Sequence, residues 1–236
     1  MKRQLIGSDL WIEQDPDQAF NLDTILLKDF IRVPKKTTRI LDFGTGTGVL
    51  MLYVSEKTKA KITGIELQET RYQKALINIK LNALDHQLSC VLKDINSLDL
   101  NDFKDIDLIV SNPPFFKLND QQKTNLSDEK TIARHEVAMT LEQLIMKAAL
   151  CLKFGGSFQL IHRPDRLGEL VSLMQKYHFE VKRIKMVHPY AHQKANHVLI
   201  EATKNGKPGV IVEPPMILYQ DKHQMTDALK KLYGGV

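Results

Sequence analysis

A hydrophobic run, Ile106-Asp107-Leu108-Ile109-Val110-Ser111, stops at Asn112-Pro113-Pro114-Phe115. The run reads as a buried strand. Prolines fix φ and lack an N–H, so the chain leaves the sheet along a rigid, extended path. Such a path can hold the Asn112 amide and the Pro113 carbonyl as two acceptors near one point, with the Phe115 ring beside them. Two acceptors and a flat ring suit a planar substrate that carries an NH2 group. An exocyclic amine is a poor nucleophile because its lone pair is delocalised. Accepting both N–H bonds biases the nitrogen toward tetrahedral geometry and stabilises the positive charge that develops on it. The chemistry expected is methylation of an amine on a base or an amide, with Asn112, Pro113 and Phe115 as the catalytic residues. The sequence names no residue to receive the proton.

A second motif lies upstream. Ile40-Leu41-Asp42-Phe43-Gly44-Thr45-Gly46-Thr47-Gly48 is a short apolar strand, an acid and three alternating glycines, followed by a helix-like segment. Glycines after a strand let the backbone turn tightly and approach a ligand closely. A dinucleotide fingerprint needs its third glycine at position 49, which is Val49, so a nicotinamide oxidoreductase is disfavoured. The acid before the first glycine can pair with a ligand's ammonium, directly or through water, and would repel a pyrophosphate. Glu66 ends the next strand-like run, where a carboxylate can accept ribose hydroxyls.

These motifs, in this order, resemble those of class I S-adenosylmethionine-dependent methyltransferases of the amino-methylating type. Flanking segments are similar to the bacterial tRNA-Val adenine-N6 methyltransferases: Gln18-Ala19-Phe20-Asn21-Leu22-Asp23-Thr24-Ile25-Leu26-Leu27, Ala133-Arg134-His135-Glu136, Gly155-Gly156, Leu199-Ile200-Glu201-Ala202 and Asn205-Gly206-Lys207-Pro208-Gly209. The resemblance covers nearly the whole chain. It implies a Rossmann-like class I methyltransferase fold, S-adenosylmethionine as cofactor, and a tRNA adenine next to the valine anticodon as target. It also implies cofactor contacts from Asp42, Gly44, Gly46, Gly48, Glu66, Asp94 and Asn112. The Asn-Pro-Pro-aromatic tetrad serves adenine, guanine and glutamine methyltransferases alike. Methylation of a guanine amine in ribosomal RNA, or of a glutamine amide in a protein, therefore stays open. A cofactor-free RNA-binding platform would be expected to lose Asp42, a glycine or the tetrad, and this chain keeps all of them.

At 236 residues and 43% hydrophobic content, one α/β domain with a full core is the natural size. A single unit over 1–236 is expected, with a leader at 1–36 and a catalytic core at 37–236. No apolar run approaches the length of a membrane span. The first residues lack the apolar region of a signal peptide. Cys90 and Cys151 sit singly in apolar runs, as buried thiols in a reducing compartment do. The eight histidines show no metal-ligand spacing. A monomeric, metal-free cytoplasmic enzyme is expected. Net charge is +5, which leans toward a polyanionic partner, although the lysines are dispersed over solvated faces.

Strand and helix patterns alternate: strands at 39–43, 61–66, 88–93, 106–111 and 157–162, helices at 48–57, 69–83, 140–152 and 165–177. Alternation of this kind implies a mostly parallel sheet with helices on both faces. Two closing apolar stretches, 183–187 and 197–202, read as an antiparallel hairpin, giving seven strands. Thr140 and Gln143 form a capping box before their helix. Asn78 and Asn82, with Arg71 and Lys74, read as an exposed helix face. One long segment, Lys117 to Glu136, lacks periodicity and follows the tetrad directly. Its Lys117, Lys123, Lys130 and Arg134, with the Phe115 and Phe116 rings before it, are the expected substrate contacts, forming a nucleic-acid lid.

Overall fold

The computed structural model describes residues 2–14, 22–113 and 139–234. An antiparallel pair, β1 (Lys2–Gln4) and β2 (Trp11–Glu13), precedes helix α1 (Leu22–Phe30). The main sheet then begins: β3 (Arg39–Phe43), α2 (Val49–Ser55), β4 (Lys61–Glu66), α3 (Glu69–Leu81), β5 (Leu88–Leu92). A short helix α4 (Leu100–Phe103) leads into β6 (Ile106–Ser111). Helix α5 (Leu141–Cys151), β7 (Leu152–His162), α6 (Leu167–Lys176), β8 (Phe179–His188) and β9 (His197–Lys204) follow, then β10 (Ile211–Val212), β11 (Met216–Ile217) and α7 (Asp227–Leu232).

The strand order is β10-β8-β9-β7-β6-β3-β4-β5, with β11 also on β8. Strands β3 to β7 are parallel, and β9 runs antiparallel to both β7 and β8, as the alternation and the closing hairpin imply. The sheet has nine strands rather than the expected seven. The two extra strands are two residues each and hydrogen-bond to the otherwise open edge of β8. Segments that short carry no period, and an open edge satisfies its backbone groups by recruiting passing chain.

The chain winds in opposite directions from the centre: β3, β4 and β5 step one way, while β6 and β7 step the other. The reversal lies between β3 and β6. In an open α/β sheet, ligands bind outside the carboxyl ends of the strands at this point. Those ends are Phe43 and Ser111, which are register partners. The Ser111 hydroxyl donates to the Phe43 carbonyl at 2.9 Å and ties the two ends together. Both faces of the sheet are covered, one by α1, α2 and α3, the other by α5 and α6, so β6 is buried almost throughout. Helix α5 starts where expected, with the Thr140–Gln143 capping box formed.

The expectation for Asn78 is corrected. Asn78 is fully buried, and its amide bonds the Glu13 N–H at 2.7 Å, the Glu13 carbonyl at 3.2 Å and the Thr47 carbonyl at 2.9 Å. Asn82, one turn on, holds the Trp11 N–H and carbonyl at 2.8 Å each. A side-chain amide carries one acceptor and two donors, so each asparagine completes β2 as a neighbouring strand would. Sequence pattern cannot show this, because polar residues at i and i+4 ordinarily mark a wet face. Lys74 bonds Glu13 across the same joint at 2.9 Å.

Asn78→Ala should leave buried backbone groups of Glu13 and Thr47 unpaired and lower stability by about 1–3 kcal/mol. Urea denaturation followed by circular dichroism measures this. A change within a few tenths of a kcal/mol would mean that β2 is not held by that amide.

Candidate active site

The loop after β3 is built by hydrogen bonds to the end of β4. Gly44 N–H and Thr45 N–H both donate to the Ile65 carbonyl, at 2.9 and 3.1 Å. Gly46 N–H donates to Glu66 Oε2 at 2.8 Å, and Gly48 N–H to the Thr45 carbonyl at 3.0 Å. Gly44, Gly46 and Gly48 all have positive φ, between 58° and 85°, a conformation that glycine adopts at the least cost. A Cβ built on Gly44 or Gly46 would meet nothing within 4 Å, so the loop presents bare backbone to open space. Gly64 has the opposite reason for being glycine. A Cβ there would lie 2.6 Å from the Thr45 methyl, so its absence lets the loop lie on β4.

Two carboxylates flank this cradle. Asp42 is 1% exposed and accepts the Thr45 hydroxyl at 2.6 Å. Burial raises its carboxyl to about 7, with Glu66 adding repulsion and the Thr45 bond opposing. Glu66 is also buried. Its Oε1 accepts Leu67 N–H at 3.0 Å and Gln68 N–H at 2.9 Å, while Oε2 holds Gly46. A carboxylate offers about four lone-pair sites. Three are already used on backbone, so Glu66 anchors the loop and α3 as well as facing the ligand space. It has one site left for a ribose hydroxyl rather than room for two. Asp94, after β5, spends Oδ1 on the Asn96 N–H at 2.8 Å as the cap of a short turn.

At the neighbouring strand end, Asn112 is half-buried and Pro113 is buried. Asn112 Nδ2 donates to the Thr24 hydroxyl oxygen at 3.2 Å. Asp23, next to Thr24 on α1, takes His197 Nε2 at 2.8 Å. His197 opens β9, whose second residue pairs with His162 at the carboxyl end of β7, so α1 lies along the same edge. His162 is buried, and burial lowers its imidazole to about 4, which keeps it neutral at ordinary pH. On the other flank, Gln14 Nε2 donates to Thr47 Oγ1 at 2.9 Å, which brings the end of β2 against the glycine loop.

The structure thus gathers Asp42, Gly44, Gly46, Gly48, Glu66, Asn112 and Pro113 at the sheet reversal, with Asp94 at the outer strand end. Phe115, Phe116, Lys117, Lys123, Lys130 and Arg134 lie outside the described residues. The structure adds Thr24, Gln14 and His197, which no chemical motif of the sequence marks. Asp23 and Thr24 were visible only as part of a family-like segment. His197 was one of several scattered histidines. Among the described residues no group of His, Cys, Asp or Glu could hold a metal ion. No described helix is long and apolar enough to cross a membrane.

Residues 17–190 match the methyltransferase small domain family, and the chain belongs to it. It is 30% identical over 217 residues to the tRNA1(Val) (adenine(37)-N6)-methyltransferase of Flavobacterium psychrophilum, covering 90% of this chain and 89% of that one. The protein of the same name from Pedobacter heparinus is 31% identical over 216 residues, with 90% and 88% covered. A third of that name, from Porphyromonas gingivalis, is 32% identical over 165 residues, spanning 68% of this chain and 64% of its own length. Among solved structures, a "predicted O-methyltransferase" from Agrobacterium tumefaciens superposes with a TM-score of 0.69 at 19% identity, covering 91% of this chain and 98% of that one. Pyrococcus horikoshii TYW2, solved with MeSAdo, gives 0.60 at 17% identity, over 84% and 69%. At such identities these two report the fold.

The cradle fits S-adenosylmethionine. Bare glycine backbone suits a flat, close-lying ligand, Glu66 retains an acceptor for a ribose hydroxyl, and among the described residues no cation offsets the burial of Asp42. Because Asp42 titrates near 7, a ligand ammonium binds best once this carboxyl is ionised. Affinity for S-adenosylhomocysteine should therefore rise between pH 6 and 8, roughly as the ionised fraction of Asp42 does, with a proton released on binding. Asp42→Asn should weaken binding and flatten this profile. The same titration has the opposite sign for the free protein. A carboxyl with a raised folded pKa opposes folding increasingly from about pH 4 up to about 7, and not further above. Calorimetry in two buffers of different ionisation enthalpy reads the proton. A flat profile for the unsubstituted chain would exclude Asp42 as the partner of the ammonium.

Glu66→Ala should lower cofactor affinity and, with no ligand present, stability, each by about 1–3 kcal/mol, because it removes both a ribose acceptor and the anchor of the loop. Titration calorimetry and urea denaturation separate the two losses. Loss of affinity with full stability would leave Glu66 a ligand contact only.

Proposed function

We propose that this protein transfers the methyl group of S-adenosylmethionine to the exocyclic N6 amine of an adenine in tRNA, the adenine beside the valine anticodon. One observation carries the reading: the Asn112-Pro113 acceptors stand at the tip of β6, next to the glycine loop at the tip of β3. Family membership supports methyl transfer, and the names of the relatives support the adenine and the tRNA. The bound cofactor supplies an activated methyl on sulfur, and everything else falls to the chain. Glu66, Asp42 and the amides of the loop bind and orient the cofactor. Asn112 and the Pro113 carbonyl accept the two N–H bonds of the adenine amine, turn its lone pair toward the methyl and stabilise the charge that forms on nitrogen. Phe115 gives a base, splayed out of the RNA, a ring to stack on. Lys117, Lys123, Lys130 and Arg134 meet phosphates. S-adenosylhomocysteine is the leaving group, the methylated nitrogen is acidic and gives its proton to water, and the product is N6-methyladenosine. The enzyme works in the cytoplasm as a monomer.

Labelled methyl transfer to total tRNA, ribosomal RNA and protein, followed by digestion, decides the substrate. N6-methyladenosine is expected in the tRNA fraction alone, with activity that falls steeply with salt because each neutralised phosphate releases counterions. Asn112→Ala should keep cofactor affinity and cut turnover by roughly 100-fold or more, since it deletes an acceptor used where charge develops. Label in N2-methylguanosine or in protein would reject the adenine while leaving methyl transfer intact. An equal loss of cofactor binding in Asn112→Ala would make the tetrad scaffolding.

A further inference from the structure

Two consecutive residues of α1 each hold a different strand tip. Thr24 takes Asn112 at the end of β6, and Asp23 takes His197 at the start of β9, two strands away across β7. Both residues are buried, at 6% and 8% exposure. The other end of α1 is fastened as well. Arg183 donates to the Phe30 carbonyl at 2.7 Å and stacks 3.7 Å over the Phe30 ring. The helix is thus fixed in both position and rotation where it meets the site.

An asparagine amide is nearly symmetric in shape but not in chemistry: one branch accepts, the other donates. If the NH2 branch faced a substrate amine, two donors would oppose each other and nothing would draw the lone pair into line. Asn112 Nδ2 is committed to Thr24, and among the described residues Oδ1 accepts no hydrogen bond. The donating branch is turned to α1, and among the described residues the accepting branch is open to a further donor.

We propose that Thr24 is a positioning residue, which fixes the orientation of the Asn112 amide so that its oxygen faces the substrate amine, and that the Asp23–His197 pair keeps α1 in the rotation this needs. The proposal rests on Asn112 being the acceptor in the reaction proposed above. Thr24 itself touches no substrate. Its effect belongs to turnover, because a misturned amide still leaves the cofactor cradle whole.

Thr24→Val keeps the shape and removes the acceptor. Its kcat should fall roughly ten- to a hundred-fold, as small misplacements of reacting groups do. Its affinity for S-adenosylhomocysteine should change by less than about two-fold, since the cofactor cradle does not depend on the turn of the amide. Thr24→Ser, which keeps the hydroxyl, should recover most of the rate. In an Asn112→Asp background the two oxygens are equivalent, so adding Thr24→Val should cost less than about two-fold, a non-additive cycle. The ratios are read on whichever substrate the unsubstituted chain methylates, so a wrong choice of nucleotide does not disturb them. A second reading needs no activity. In protein labelled with 15N at asparagine, the Asn112 side-chain NH2 should exchange its hydrogens faster in Thr24→Val than in the unsubstituted chain. Unchanged kcat with unchanged exchange would overturn the proposal. So would loss of cofactor affinity in step with kcat, or failure of serine to restore the rate, either of which would make Thr24 packing.

Discussion

The parallel pairing of β3 with β6 is the constraint on which the rest depends. Phe43 lies opposite Ser111, so the residues that follow, Gly44 and Asn112, emerge side by side although 68 positions separate them. A slip of one residue would reverse the facing of every side chain on one strand. It would also part the glycine loop after β3 from Asn112 and Pro113 after β6. The largely buried β6 and the Ser111–Phe43 bond make such a slip expensive, because it would expose apolar surface and strand a polar group. Methyl transfer needs two groups within bonding distance more than it needs acid or base, and this register supplies that nearness.

The cradle is electrostatically tense without its ligand. Asp42 and Glu66 are both buried and repel one another, which contributes to the high titration of Asp42. Backbone amides offset the charge of Glu66, whereas Asp42 has one hydroxyl. A cationic ligand relieves what burial imposes. The free protein gives up some stability here, and perturbed carboxyls of this kind are common at functional sites.

Polar fasteners bring the chain ends to the sheet. Asn78 and Asn82 hold β2 on α3, and Gln14 carries that joint to the glycine loop at Thr47. Arg183, 4% exposed, bonds Glu201, Glu213 and the Phe30 carbonyl, and so joins β8, β9, the C-terminal segment and α1. Such a buried ion network is weak evidence for stability, since desolvation offsets much of the attraction. What it does secure is geometry: from β8 the guanidinium satisfies partners on three other segments in a single arrangement.

The sequence by itself determined the alternating core. Periods of two and of 3.6 residues are local properties, and the strands at 39–43, 61–66 and 106–111 and the capping box of α5 stand where those periods put them. It also determined the motif residues, because glycine at positive φ and proline after a strand have few other uses. Only the tertiary structure decided which polar side chains face inward. Asn78 and Asn82 have the spacing of a wet helix face and became the partner of a strand. Glu66 became the anchor of a loop, holding three backbone N–H groups. The two-residue strands β10 and β11 exist because β8 had an open edge. Thr24 met Asn112, 88 positions away, and Asp23 met His197. The physical reason is common to all of these. A hydrogen bond between distant residues depends on how elements pack, and leaves no period in the chain for a reader to find.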